Sequence, residues 1–382
     1  MNNIIRPFDY QPSTRVVYGP GCLERLGELA RALGGQRLLV VTDPGLIEAG
    51  ILAKAVEYLN AAGLDCMVFS DLSQNPTTRQ VEAGAAFAQA QGDIDLIVGL
   101  GGGSAMDGAK GINFLLTNGG RIQDYQGMGH AAKPLLPSLG IPTTAGTGSE
   151  AQSYALISHA DTHKKIACGD PQARFHTVIL DPELLQSVPP QVRAITGLDA
   201  LAHAIESYVC TRRNPVSQLF AQRAFQLLNG AFDPVLDNAA DLTSQGAMLL
   251  GAHWAGAAIE NAMLGAAHAC ANPLTAQYNI THGTAVALML PHVIRFNAQV
   301  AADCYAELAA AAQFPICTPN ALAAAYEKQR DHAQLPELLS DCDVAQVDLP
   351  VLAAAAAQEW TATFNPRPLD AEACLTLYMN AY

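Results

Sequence analysis

Four side chains in the second half of the chain have the types and spacing to do chemistry. "TGLDALAHAIESY" (196–208) puts Asp199 and His203 four residues apart, and "HACANPLTAQYNITH" (268–282) carries His268 and His282. On a helix an i, i+4 pair shares one face, with Cβ atoms about 5–6 Å apart. The helix around the first pair is apolar (Leu198, Leu201, Ala202, Ile205), so the pair is predicted to be partly buried and to need a partner. A plain ion pair or hydrogen bond would meet that need. A divalent cation shared with His268 and His282 would meet it for all four residues. One carboxylate and three imidazoles suit Fe²⁺ or Zn²⁺, with Mn, Co and Ni open.

A second set of residues suits an anion. "DLIVGLGGGSAMDGAK" (95–110) places Gly101, Gly102, Gly103 and Ser104 between an apolar strand and a helix. Glycines let a backbone approach a phosphate closely, and a helix N-terminus offers unpaired N–H groups and partial positive charge. "PTTAGTGSE" (142–150) adds Thr143, Thr144 and Thr147 after another strand. Two such loops at strand ends suggest a dinucleotide lying across the sheet edge. Neither is a GxGxxG fingerprint or a P-loop. Asp43 ends the strand "RLLVVTD", where a carboxylate either caps the next helix or accepts from a ribose 2′-hydroxyl, favouring NAD over NADP.

The elements that must position these groups are legible in the pattern. Strands are predicted at 14–19, 37–43, 65–71, 95–103, 134–146 and 176–184, and helices at 22–33, 50–63 and 77–92. Continuous apolar runs alternating with helices imply a parallel sheet buried on both faces. Beyond 186 helical pattern dominates, at 191–211, 214–234, 240–277 (with an interruption), 282–297, 299–313, 318–328, 349–364 and 369–380. The expectation is an α/β dinucleotide-binding domain over 1–186, then an all-helical metal-binding and substrate domain over 187–382. A cleft between domains is where ligands usually go.

Composition narrows the class. The chain has 382 residues, half of them hydrophobic and 15% charged, as in a globular protein, and a net charge of −14 argues against nucleic acid or an anionic membrane as partner. The start "MNNIIRPFDY" shows no secretory pattern, and no run of eighteen apolar residues predicts a membrane span. Nine cysteines without CxxC spacing read as reduced thiols in the cytoplasm. The histidines at 130, 159, 163, 176, 253 and 292 are read as surface or packing residues.

Taken in order, "GGGSAMDGAK", "PTTAGTGSE", "TGLDALAHAIESY" and "HACANPLTAQYNITHGTAVALMLPHVIRFN" resemble the signature regions of the iron-containing (group III) alcohol dehydrogenases. The resemblance runs from "VVYGPG" and "VTDPG" through "LDPEL" to "NPR" at 365–367. It implies a dehydroquinate synthase-like architecture, NAD as cofactor, Fe²⁺ (or Zn²⁺) on Asp199, His203, His268 and His282, and a homodimer or larger assembly. It also places Asp107 and Lys165 near the cofactor. The implied activity interconverts a small primary alcohol and its aldehyde.

At one position the chain departs from that family. Most members carry a histidine where this sequence has Asn272, near the nicotinamide and substrate, and several carry a bulky aromatic in place of Ile259. An amide hydrogen-bonds but does not titrate near neutral pH. Asn272 therefore stands as a catalytic-position residue whose proton-relay role is lost, and altered or impaired catalysis is one alternative. A metal- and NAD-dependent lyase, as in the distantly similar dehydroquinate synthases, is another.

Overall fold

The computed structural model describes residues 7–12, 14–162 and 164–382. Residues 1–6, read above as lacking a secretory pattern, and His163 lie outside them. The chain divides into two compact units, one formed by 11–188 and the other by 189–382 together with the start of the chain. Tyr10 lies against Phe220 of the helical unit, ring centroids 6.2 Å apart.

Among the described residues the α/β unit has nine strands: β1 (Arg15–Tyr18), β2 (Arg37–Val41), β3 (Asp65–Phe69), β4 (Leu96–Gly101), β5 (Gly127–Met128), β6 (Ser138–Pro142), β7 (Tyr154–Ser158), β8 (Lys165–Gly169) and β9 (Thr177–Leu180). Six form an all-parallel sheet in the order β1-β9-β6-β4-β2-β3. Leu38, Leu39, Val40 and Val41 of β2 are fully buried. Each such side chain contributes roughly 1.5–3 kcal/mol on leaving water, which is why this apolar run sits at the sheet's interior. The helices are α1 (Leu26–Ala32), α2 (Pro44–Glu48), α3 (Ile51–Ala61), α4 (Thr78–Gln91) and α5 (Gly103–Asn118). Thr77 and Gln80 start α4 with a reciprocal capping box.

The chain reverses its direction across the sheet between β2 and β4, since β3 lies on one side of β2 and everything later lies on the other. Ligands of open α/β sheets bind at the carboxyl ends of strands flanking such a point. Asp43 follows β2, and the glycine loop follows β4.

One part of this unit was not foreseen. β5, β8 and β7 form a separate three-stranded sheet in which β7 and β8 run antiparallel. β5 has two residues, and β7 and β8 carry apolar runs of only three, so they did not stand out beside runs such as Leu38–Val41.

The other unit contains α6 (Pro190–Val209), α7 (Pro215–Asp237), α8 (Leu242–Glu260), α9 (Ala266–Tyr278), α10 (His282–Ala311), α11 (Pro319–His332), α12 (Leu349–Ala356) and α13 (Ala371–Asn380). No strand occurs there among the described residues. The stretch 240–277 does break, between Glu260 and Ala266, and Gly265 opens the second helix. The helices predicted at 282–297 and 299–313 do part, at a kink where Ala301 leaves helical geometry (φ −126°, ψ 17°), a few residues later than expected. The segment 349–364 is two, ending at Ala356 and resuming as a 3₁₀ turn over Trp360–Phe364. α10 is long and apolar enough to cross a membrane, yet most of it is buried against its neighbours, as in a core helix. A Cβ on Gly283 would lie 2.5 Å from the backbone oxygen of Ile195, so glycine there lets the start of α10 close onto α6. That contact sets His282 beside Asp199.

Candidate active site

α6 carries the first part of the site. Asp199 and His203 stand one turn apart, and Glu206 stands three residues beyond His203 on the same face. All three are buried. α9 supplies His268 from its first turn, and α10 supplies His282 as its first residue.

The four predicted metal residues are brought together. Nε2 of His203 and Nε2 of His268 each lie 3.4 Å from Asp199 Oδ1, and Nε2 of His282 lies 3.9 Å from it. Asp199 Oδ1 and His268 Nε2 are both buried without a hydrogen-bond partner among the described residues. Two ligands on one ion, with arms of about 2.1 Å at the tetrahedral angle, end about 3.4 Å apart. Ligand atoms of Asp199, His268 and His282 all lie within 4.8 Å of one another. His203 joins them through Asp199 and by stacking on His268, ring centroids 4.8 Å apart. Orphaned buried donors at ligand spacing fit a divalent cation. The His282 side chain is 33% exposed, whereas those of Asp199, His203 and His268 are 7% or less. The cluster is therefore most open on the His282 side.

Glu206 was missed in the sequence, and it explains why His268 is oriented as it is. Its Oε2 lies 2.5 Å from His268 Nδ1, and its Oε1 accepts from the backbone N–H of Ala267 at 2.7 Å. An ionised carboxylate only accepts, so Nδ1 carries the proton and the Nε2 lone pair faces Asp199. A carboxylate behind a ligating imidazole is a recurrent arrangement at metal sites. The second bond places negative charge at the N-terminus of α9, where the helix dipole stabilises it. The available signal was the Asp199, His203, Glu206 spacing of i, i+4, i+7 on one apolar helix.

The electrostatics agree. Burial by itself would raise the Asp199 carboxyl, but His203, His268 and His282 hold it well below the ordinary carboxylate range. Burial opposes charge on His268, yet Glu206 and Asp199 push it up to about 9. A proton and an ion compete for the His268 Nε2 lone pair.

Asn272 lies one turn after His268, and its Nδ2 donates to Glu359 Oε2 at 2.9 Å. Ile259 is buried in the last turn of α8.

In the α/β unit the two predicted loops meet. Gly101 has φ +150°, and Gly102 precedes α5 without a side-chain cap; Ala105 and Met106 N–H donate back to Gly102 O, and the start of the helix offers its dipole to an anion. A Cβ on Gly103 would come within 2.6 Å of the Thr147 side chain, and one on Gly102 within 3.3 Å of Thr144 Oγ1. Thr143 is buried, and its N–H donates to Gly101 O. Asp43 does cap α2, Oδ1 accepting from Gly45 N, while its Oδ2 would lie 3.1 Å from a Cβ at Gly101. Ser104 Oγ accepts from Asn75 N, and Lys165 Nζ donates to Asn75 Oδ1 at 2.6 Å, so Asn75 links Lys165 to the glycine loop. Asp107 Oδ1 accepts from Ser149 Oγ at 2.6 Å. Of the other histidines, His159 and His176 accept backbone N–H groups through Nδ1, which are structural roles.

A parallel α/β unit with an uncapped glycine loop at its switch point, and a helical unit with a buried carboxylate–imidazole cluster, define a class: the two-domain, metal-dependent dehydrogenases. The family model for iron-containing alcohol dehydrogenases matches residues 13–182, and that for the C-terminal part of Fe-containing alcohol dehydrogenases matches 193–382. The chain belongs to the iron-containing alcohol dehydrogenase family. It is 37% identical over 290 residues to alcohol dehydrogenase 4 of Schizosaccharomyces pombe, covering 76% of this chain and 68% of that one. It is 32% identical to the NAD-dependent methanol dehydrogenase of Bacillus methanolicus, over 96% of this chain and 97% of that one. A solved structure of a 1,3-propanediol oxidoreductase superposes with a TM-score of 0.94 at 31% identity, covering 99% of this chain and all of the other.

Proposed function

We propose that the protein is an NAD-dependent, iron-dependent alcohol dehydrogenase interconverting a small primary alcohol and its aldehyde. The observation that carries this is the pair of buried, unpartnered donors, Asp199 Oδ1 and His268 Nε2, at ligand spacing beside His203 and His282. The family and the names of the relatives support iron, NAD and an alcohol. The same ligand set also suits Zn²⁺.

When bound, the ion supplies Lewis acidity to an alcohol or aldehyde oxygen and NAD supplies hydride acceptance. The chain's own residues do the rest. Asp199, His203, His268 and His282 hold the ion, and Glu206 keeps the proton on His268 Nδ1. The exposed side at His282 admits the substrate. Gly101, Gly102, Gly103 and Ser104 present backbone N–H groups to the cofactor phosphates, with Thr143, Thr144, Thr147 and Lys165 around them. Asn272 orients a neighbour by hydrogen bonding and moves no proton. Asp43 accepts from a ribose hydroxyl with the oxygen not used for capping.

Purified protein should contain about one metal ion per chain. It should form NADH from short primary alcohols, lose that activity to a chelator and regain it with Fe²⁺. Bound metal with no turnover on any alcohol or aldehyde would overturn the activity, and no metal after reconstitution would overturn the site. Asp43→Asn keeps the cap but removes the charge. It is expected to raise the NADP-to-NAD ratio of kcat/KM about tenfold or more; an unmoved ratio reduces Asp43 to a helix cap.

Nine free cysteines, none in a disulfide, support a reducing compartment, the cytoplasm. Edge strand β1 leaves Val16 and Tyr18 exposed, which supports self-association as a dimer or larger assembly.

A further inference from the structure

The asparagine at 272 has a partner with a charge. α9 sets Asn272 four residues after His268, so the two side chains leave the same face of the helix. The acceptor of its Nδ2 hydrogen bond is Glu359, which leads into the Trp360–Phe364 turn packed on α9. That carboxylate is half-buried. Among the described residues its hydrogen-bond partner is this neutral amide, and no lysine, arginine or histidine forms an ion pair with it. Two residues on, Thr361 buries a hydroxyl oxygen that lacks a hydrogen-bond partner among the described residues.

A half-buried carboxylate with no cation gains from a donor arriving with a ligand, and most from a charged one. A histidine at 272 would have cancelled this charge on protonation. Asparagine anchors the carboxylate and leaves the charge standing. We propose that Glu359, held by Asn272, is a specificity-determining residue that takes the far end of the substrate. It selects small alcohols bearing a second hydrogen-bond donor, ammonium above hydroxyl, and rejects those bearing an anion. This rests on the dehydrogenase reading, with His268 on the metal.

The test uses metal-loaded full-length protein at neutral pH. kcat/KM is measured with NAD for 3-amino-1-propanol, 1,3-propanediol, 1-propanol and 3-hydroxypropionate. Calorimetry measures binding of propylammonium, which has no hydroxyl to oxidise. Wild type is expected to rank the four in that order. Glu359→Gln, of the same shape, should lower the aminopropanol-to-propanol ratio about tenfold or more, through KM and not kcat, with propylammonium binding weakened in parallel. Glu359→Asp should keep the order. Protein that oxidises alcohols but holds its ratios and its propylammonium affinity on Glu359→Gln overturns this inference alone. Protein that oxidises none of the four overturns the dehydrogenase reading and this inference with it.

Discussion

Asp199→Asn is expected to leave a folded protein with almost no bound metal and with kcat/KM for alcohol oxidation lowered on the order of 10³-fold or more. Asp199 Oδ1 is the atom around which the three Nε2 nitrogens gather, at 3.4, 3.4 and 3.9 Å. Among the described residues it is also the one carboxylate that faces those nitrogens, since Glu206 is turned to the other side of the His268 ring. Asparagine preserves the volume, so packing in this buried stretch of α6 is kept while the negative charge is removed. Three imidazoles without a carboxylate hold a divalent cation less firmly and leave its charge less compensated. Metal analysis after dialysis, circular dichroism and NADH formation check the three parts separately. Full metal occupancy in the variant would remove Asp199 from the ligand set.

Glu206→Gln is expected to weaken metal binding by roughly 10–100-fold although Glu206 touches no ion. The glutamine oxygen can replace only one of the two contacts. If it accepts from Ala267 N–H, the amide NH₂ faces His268 Nδ1–H, donor against donor. The ring then moves its proton to Nε2 or rotates, and either removes the lone pair from the cluster. There is little room to relax, because Gly265 and Glu206 Oε1 already sit close enough that a Cβ on the glycine would lie 3.1 Å away. Metal titration against a competing chelator reads the effect. Affinity equal to wild type would mean that Glu206 serves α9 alone and does not orient His268.

Both outcomes turn on how much of the site a linear reading can reach. The Asp199–His203 pair was legible because one helix carries both and the 3.6-residue repeat dictates their common face. The two glycine- and hydroxyl-rich loops were legible because each follows an apolar run that had to be a buried strand. The parallel sheet followed from the same runs. The small mixed sheet was not legible: β5 has two residues, and the apolar runs of β7 and β8 are three residues each, Ala155–Ile157 and Ile166–Cys168, too short to mark a strand. The break in α10 was legible to within a few residues, read near 298 and found at Ala301.

The sequence by itself determined the two-part organisation, the glycine- and hydroxyl-rich loops and the residue types of the carboxylate–imidazole cluster, because periodicity and propensity act over a few residues. Only the tertiary structure decided which groups complete the site. Glu206 meets His268 across 62 residues, and Asn272 meets Glu359 across 87. Contacts of that range are set by how α6, α9 and the turn after α12 pack. The physical reason is that a hydrogen bond needs two groups within about 3 Å, and spacing along the chain fixes such a distance only within one helix or strand.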